Sequence, residues 1–207
     1  TLTIKKAPLT ISANSYTIKY GEKLPNFSCS YTGFKNNETY AVLDPRPSVK
    51  YEGGDRPVVG TYTLTPEGAD ARNYEISYAD GKLTVNKAPL TITANSYTIV
   101  YGDTLPAMEY SCKGFAYDED ESVLTKKPHI TYAAGNHPDA GRHPIKVSGA
   151  EADNYEITHV DGILHVEKAL LTVTARPDTI VYGQDRPALA YDIQGFVLGQ
   201  DTSAIQR

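Results

Sequence analysis

The chain has 207 residues, a formal net charge of -5, a pI near 5.5, no tryptophan, four phenylalanines and 16 tyrosines. That balance lacks the clustered lysine and arginine that replace phosphate counterions, so nucleic acid is excluded as an expected partner. No apolar run is long enough to cross a bilayer as a helix, so this window predicts no membrane span.

The sequence repeats. Residues 7–87 lie on residues 88–168 without a gap, with identity at 38 of 81 paired positions, and a third copy begins on the same period at Ala169. Such a period predicts one structural unit per repeat. The expected organisation is residues 1–6 as the closing strand of a preceding module, 7–87 as module 1, 88–168 as module 2 and 169–207 as a truncated module 3. The whole reads as a window cut from a longer array.

Within module 2, Leu90–Ala94 and Tyr97–Tyr101 alternate apolar and polar residues, which predicts two strands with one buried face each. Gly102, like Gly21 and Gly183, follows a tyrosine and precedes a polar residue, as a backbone site needing positive φ would. A third strand is expected over Met108–Phe115. The acidic stretch Asp118-Glu119-Asp120-Glu121 before Val123-Leu124 suits the start of one or two helical turns. Strands follow at His129–Tyr132, His143–Gly149, Tyr155–Val160 and Ile163–Val166. The last two are expected to form a hairpin through Asp161-Gly162, repeated at Asp80-Gly81, because Asp-Gly between alternating runs is a strong hairpin signal. The prediction is a mostly β module of about seven short strands and at most one short helix, built as a small β-sandwich or β-grasp-like sheet. Two or three residues join successive modules, so the array is expected to be elongated and stiff.

The order Leu-Thr-Ile-Thr-Ala, Tyr101-Gly102-Asp103-x-Leu105-Pro106, Gly114-Phe115, Ser122-Val123-Leu124, Asp153-Asn154-Tyr155 and Asp161-Gly162-x-Leu-x-Val resembles the MBG-type repeats in their Tyr-Gly-x variant. These are tandem domains of bacterial surface and adhesin-like proteins. The resemblance implies an exported, extracellular or cell-surface stalk or adhesion region, and it brings no catalytic residues with it.

Candidate chemistry is sparse. The histidines, His129, His137, His143, His159 and His165, all fall in module 2, opposite Ser48, Arg56, Tyr62, Tyr78 and Thr84 of module 1, so no metal site recurs. The expected hairpin also turns His159 and His165 to opposite faces. Asp118 to Glu121 offers carboxylates to calcium, but the stretch of module 1 around Asn36-Asn37-Glu38-Thr39, with Asn37 opposite Asp118 and Glu38 opposite Glu119, loses most of that charge, and a solvated helix start is the plainer reading. Cys29 and Cys112 stand where other copies carry bulky apolar residues, so they read as small buried hydrophobes. A disulfide between them would have to cross modules. Tyr40, Tyr62 and Tyr117 do not recur and are the candidate ligand contacts, as stacking platforms for sugars. No nucleophile, base and orienting group appear together, so the chain is expected to be non-catalytic and without cofactor. The leading expectation is a spacer whose partners are the neighbouring modules of the same chain. The alternative is a multivalent module that binds host glycan or extracellular protein.

Overall fold

The computed structural model describes residues 1–205. In the first repeat the strands are β1 (Ala7–Ala13), β2 (Tyr16–Lys19), β3 (Cys29–Thr32), β4 (Ser48–Lys50), β5 (Gly60–Glu67), β6 (Tyr74–Ala79) and β7 (Gly81–Asn86). The second repeat has the same seven: β8 (Ala88–Ala94), β9 (Tyr97–Val100), β10 (Tyr110–Lys113), β11 (His129–Tyr132), β12 (Gly141–Ser148), β13 (Tyr155–Val160) and β14 (Gly162–Glu167). The mostly β, seven-strand module predicted from alternation is what forms. Between β3 and β4, and again between β10 and β11, lies a single 3-10 turn, Tyr40–Val42 or Glu121–Val123. Thr39 and Asp120 cap these turns by accepting from the amides of Ala41 and Ser122. Each turn ends at a leucine in extended conformation, Leu43 or Leu124, which returns the chain to the core.

Each repeat is two sheets. In the first they run β3-β1-β6 and β2-β7-β5-β4, in the second β10-β8-β13 and β11-β12-β14-β9. The chain changes sheet five times in each repeat, twice between strands that follow each other almost directly, β1 to β2 and β6 to β7. Strand β1 lies parallel to β6, with Ala7 opposite Tyr74, while their continuations β2 and β7 are also parallel, with Tyr16 opposite Leu83. Two neighbouring strands therefore cross between the sheets together.

That crossing corrects the expected hairpin. Strands β6 and β7 occupy different sheets, as do β13 and β14, so neither Asp80-Gly81 nor Asp161-Gly162 is a turn between paired strands. A two-residue hairpin of the expected kind needs positive φ at both central residues, and none of these four has it. Glycine is required for another reason. A Cβ on Gly81 would lie 2.5 Å from the Ala13 carbonyl oxygen, and one on Gly162 would lie 2.5 Å from that of Asn95. The crossing strands touch backbone to backbone there, and only a residue without a side chain fits. Ser15 Oγ accepts from the Lys82 amide at 3.0 Å and Ser96 Oγ from the Ile163 amide at 3.0 Å, replacing the ladder bond lost at the corner.

The same finding reassigns the histidines. His159 lies on β13, whereas His129, His143 and His165 lie on β11, β12 and β14 of the other sheet. His165 stands opposite Arg142 and Thr98, not opposite Thr158 as the hairpin required.

The core follows the alternation. Leu9, Ile11, Leu64 and Leu83 are fully buried in the first repeat, as are Leu90, Ile92, Ile145 and Leu164 in the second. Each such side chain contributes about 1.5–3 kcal/mol by leaving water. In the third copy β15 (Thr172–Ala175) pairs antiparallel with β16 (Tyr191–Gln194), with Val173 opposite Ile193. Leu170, Val173, Ile180, Val181, Leu189 and Tyr191 remain exposed. The strands that cover the corresponding positions in the first two repeats have no counterpart within the 207 residues.

By density of contact the chain falls into two compact units. One contains residues 1–91, 112–127 and 150–158, and the other contains 92–111, 128–149 and the chain from 159. The contacts between the first repeat and the start of the second described next lie inside the first unit.

Candidate functional site

Directly after β2, the amide of Tyr20 donates to the Asn86 carbonyl at 2.8 Å, which carries the pairing with β7 one residue further. Gly21 then turns the chain at φ 87°, a conformation that glycine adopts without steric cost. The Glu22 side chain accepts from the Lys19 amide at 2.8 Å, and the Glu22 amide donates to the Lys19 carbonyl at 3.0 Å. These bonds close the turn and aim the Tyr20 ring outward from its own strand.

The ring lands on a second turn, 116–119. There the Glu119 amide donates to the Ala116 carbonyl at 2.9 Å, with Tyr117 at φ 53° and Asp118 at φ 61°. Left-handed backbone costs an L-residue roughly 1–2 kcal/mol, and it is uncommon for a bulky side chain. The strain at Tyr117 is offset by its surroundings. Its ring meets Tyr20 edge-on at 5.2 Å between centroids, and the Arg56 guanidinium sits 4.9 Å above it.

Glu119 is the centre of the site. One carboxylate oxygen accepts from the Tyr20 hydroxyl at 2.6 Å and the other accepts from the hydroxyl of Tyr155. Tyr155 also accepts from the Ala116 amide at 2.9 Å, and its ring stands edge-on to Tyr20 at 5.5 Å. Both tyrosines are buried, Tyr20 at 7% and Tyr155 at 3% exposure. Burial first, then the hydrogen bond to Glu119, pushes the Tyr155 hydroxyl up to about 12 and that of Tyr20 well above its ordinary value. A carboxylate shared by two phenols is a strong, charge-assisted arrangement in a half-dry setting. Beside it, the Val59 amide donates to Asn154 Oδ1 at 3.1 Å and Lys87 Nζ donates to the Ala152 carbonyl at 3.2 Å. Lys87 is the only residue between β7 and β8.

The same parts recur one period later. Gly102 has φ 97°, and the Tyr101 hydroxyl accepts from Gln200 Nε2 at 2.8 Å. Where Gly21 faces Ala116, Gly102 faces Val197, and added Cβ atoms would lie 2.4 Å and 2.7 Å from those side chains. The Gln200 amide closes on the Val197 carbonyl at 3.0 Å, with Leu198 at φ 55°. The Tyr-Gly turn is thus a plug, and the turn that receives it is a socket.

The sequence candidates disperse. Tyr117 belongs to the socket. Tyr62, on β5, donates its hydroxyl to the Val58 carbonyl at 2.9 Å and packs edge-on against Tyr51. Tyr40, in the first 3-10 turn, is 51% exposed, stacks on Tyr31 and carries Arg46 5.1 Å over its ring. It borders a hollow lined by Phe27, Cys29, Tyr31 and Pro47. The acidic run divides its work, since Asp118 takes a left-handed backbone position, Glu119 holds two tyrosines and Asp120 caps the 3-10 turn. Among the described residues no group of three metal-ligating side chains comes together. Cys29 and Cys112 are free and half-buried, and burial pushes the Cys112 thiol up to about 11.

In the sequence Glu119 stands out only as one carboxylate of the acidic run weighed for calcium, not as a residue of the junction. Its signal was present, because it is the one acid of the 118–121 run that recurs at the matching position, as Glu38.

Repeated two-sheet β modules, joined through one residue and locked by a side-chain clamp, define a tandem structural repeat. The family model for the MBG domain of YGX type matches residues 9–84 and again residues 90–165, and the chain belongs to that family. The Tyr-Gly pair that marks the type is the plug of each junction. Comparison with curated proteins finds no match. Among the described residues no helix is long and apolar enough to cross a membrane.

Proposed function

We propose that this chain is a non-catalytic spacer in a bacterial cell-surface, adhesin-like protein, with modules 7–87 and 88–168 acting as rigid links. The carrying observation is the Tyr20–Glu119–Tyr155 clamp beside a one-residue linker. A hinge would leave that junction wet and mobile; a spacer that holds another domain at a distance needs it dry and fixed. The family resemblance supports extracellular placement, and the short linker supports an extended array. Small-angle X-ray scattering of the full chain tests this. The expected profile has a rod-like region with a repeat of roughly 30 Å, from the compact radius of a domain this size. A profile fitted by freely jointed modules contradicts it.

A second reading rests on Tyr40. Its exposed ring, backed by Tyr31 and flanked by Arg46, has the form of a stacking platform for a sugar, and weak sites of this kind gain strength by multivalency. A glycan and matrix-protein screen with a Tyr40→Ala variant tests it, with Tyr62→Ala and Tyr117→Ala beside it. Saturable binding lost only with Tyr40 supports a binding module, and no binding at high micromolar concentration removes it.

A further inference from the structure

The first and last strands of each repeat form one parallel seam. Residues 7–12 of β1 pair with residues 74–79 of β6, and residues 16–19 of β2 pair with residues 83–86 of β7. Both pairs keep one offset of 67 residues, and so does the Lys82 amide that donates to Ser15 Oγ at the corner between them. A backbone bond closes the seam at each end, from the Ala7 amide to the Asn73 carbonyl at 2.9 Å and from the Tyr20 amide to the Asn86 carbonyl at 2.8 Å. The Thr10 and Ser77 hydroxyls bond across it at 3.1 Å. The second repeat keeps the arrangement. Residues 97–100 of β9 run parallel to residues 164–167 of β14, the Ile163 amide donates to Ser96 Oγ, and the Ala88 amide donates to the Asn154 carbonyl at 3.0 Å.

Parallel pairing decides how a pull along the chain acts on a repeat. Two strands that run the same way start together and finish together, so the chain enters the seam at one end, Ala7, and leaves it at the other, Asn86. Tension therefore slides the strands past each other along their length, and every rung resists at once. A pair entered and left at the same end would open one rung at a time. Sliding by one residue would turn each side chain of a strand to the opposite face, which drags Leu9, Ile11, Ile18, Leu83 and Val85 out of the buried core. The load is handed on where the seam ends. Asn86 is followed by Lys87 and then by β8, and Tyr20, whose amide makes the last rung, also donates its hydroxyl to Glu119 of the next repeat.

We propose that each complete repeat is a force-bearing link, with the seam of β1 and β2 against β6 and β7 as its mechanical clasp. The chain then carries tension as well as distance. Bearing tension goes beyond spacing, because a junction can be stiff at rest while its modules open under a pull. It suits a protein that is fixed at one end and pulled at the other.

Single-molecule force spectroscopy of the full chain, held by tags at its two ends, tests the proposal. Two unfolding events of similar force are expected. Each should lengthen the chain by about 250 Å, the extended length of an 81-residue repeat less its folded span of roughly 30 Å. The direction of pull isolates the seam. Handles at Lys5→Cys and Arg72→Cys, both exposed positions, draw the starts of β1 and β6 apart and peel the seam open. Cys29→Ser and Cys112→Ser are placed in both chains so that only the handles react, and urea unfolding confirms that the two chains are equally stable. The end-to-end force should exceed the peeling force at least about twofold, because forced unfolding follows the barrier along the pull and not the equilibrium stability. Equal forces in the two directions would overturn the proposal, and so would end-to-end extension without the two events. Either result leaves the rod-like scattering expected of a spacer untouched, and scattering from freely jointed modules would leave the clasp untouched, so stiffness and strength are tested separately.

Discussion

The two junctions use one device with different completeness, and the difference shows what the device needs. In the first, Tyr20 is buried, its hydroxyl donates to a carboxylate, and a second tyrosine holds the other carboxylate oxygen. In the second, Tyr101 is half-exposed and its partner is the neutral amide of Gln200. A cleft of about 300 Å³ lies beside Tyr101, bordered by Ala169, Leu171, Phe196 and Val197. The charge-assisted version has its tyrosine buried and the neutral version leaves it half-exposed. A hydrogen bond to an ionised group contributes about 1.5–3 kcal/mol, and a neutral one about half that.

The largest effect is expected at the plug glycine. Gly21→Val places a branched side chain at φ 87° with its Cβ against Ala116, and should cost about 2–4 kcal/mol from backbone strain and overpacking together, read by urea unfolding. Gly102→Val at φ 97° meets the branched Val197 side chain, whose Cγ2 and Cβ would lie 2.7 Å and 2.8 Å from the added Cβ, and should cost about as much. Next comes the shared carboxylate. Glu119→Ala leaves the Tyr20 and Tyr155 hydroxyls without their acceptor and should cost about 1–3 kcal/mol, whereas Gln200→Ala should change stability by less than about 1 kcal/mol.

A third effect is one of pH. Tyr20 and Tyr155 have hydroxyls raised above the ordinary value of 10.0, so the folded chain holds these protons more tightly than the unfolded chain. The stability they contribute is fully present below pH 10 and is lost as pH rises through about 12. An alkaline titration followed by circular dichroism should show that fall, and Tyr20→Phe should flatten it. The smallest effect is a local probe. With its thiol raised to about 11, Cys112 should react slowly with a disulfide reagent at pH 8, and Glu119→Ala should speed that reaction by loosening the neighbouring turn.

Much of the fold was legible because it rests on alternation and glycine. Leu90 and Ile92 announced a buried face, and Gly21, Gly102 and Gly183 announced a positive φ that all three adopt. Asp80-Gly81 misled, because a glycine demanded by backbone contact across a sheet corner has the same sequence as one demanded by a hairpin turn. Only the parallel pairing of β1 with β6, which joins residues more than sixty apart, separates the two cases. The junction escaped for a related reason. Tyr20 and Tyr155 were readable as recurring packed rings, but the side chain joining them came from an acidic run that reads as solvated when taken as a block. Taken residue by residue, Glu38 and Glu119 are the acids that recur. Tyr117 was singled out as a ligand contact because it does not recur, and the site it serves is the surface of the preceding repeat.

The central claim is that the clamp makes the first junction rigid, and nitrogen-15 relaxation of the backbone amides of the full chain tests it most directly. The account predicts that residues of the first and second repeats share one rotational diffusion tensor, and that Glu119→Ala splits it into two faster ones. Independent tumbling of the two repeats in the unmodified chain would contradict it.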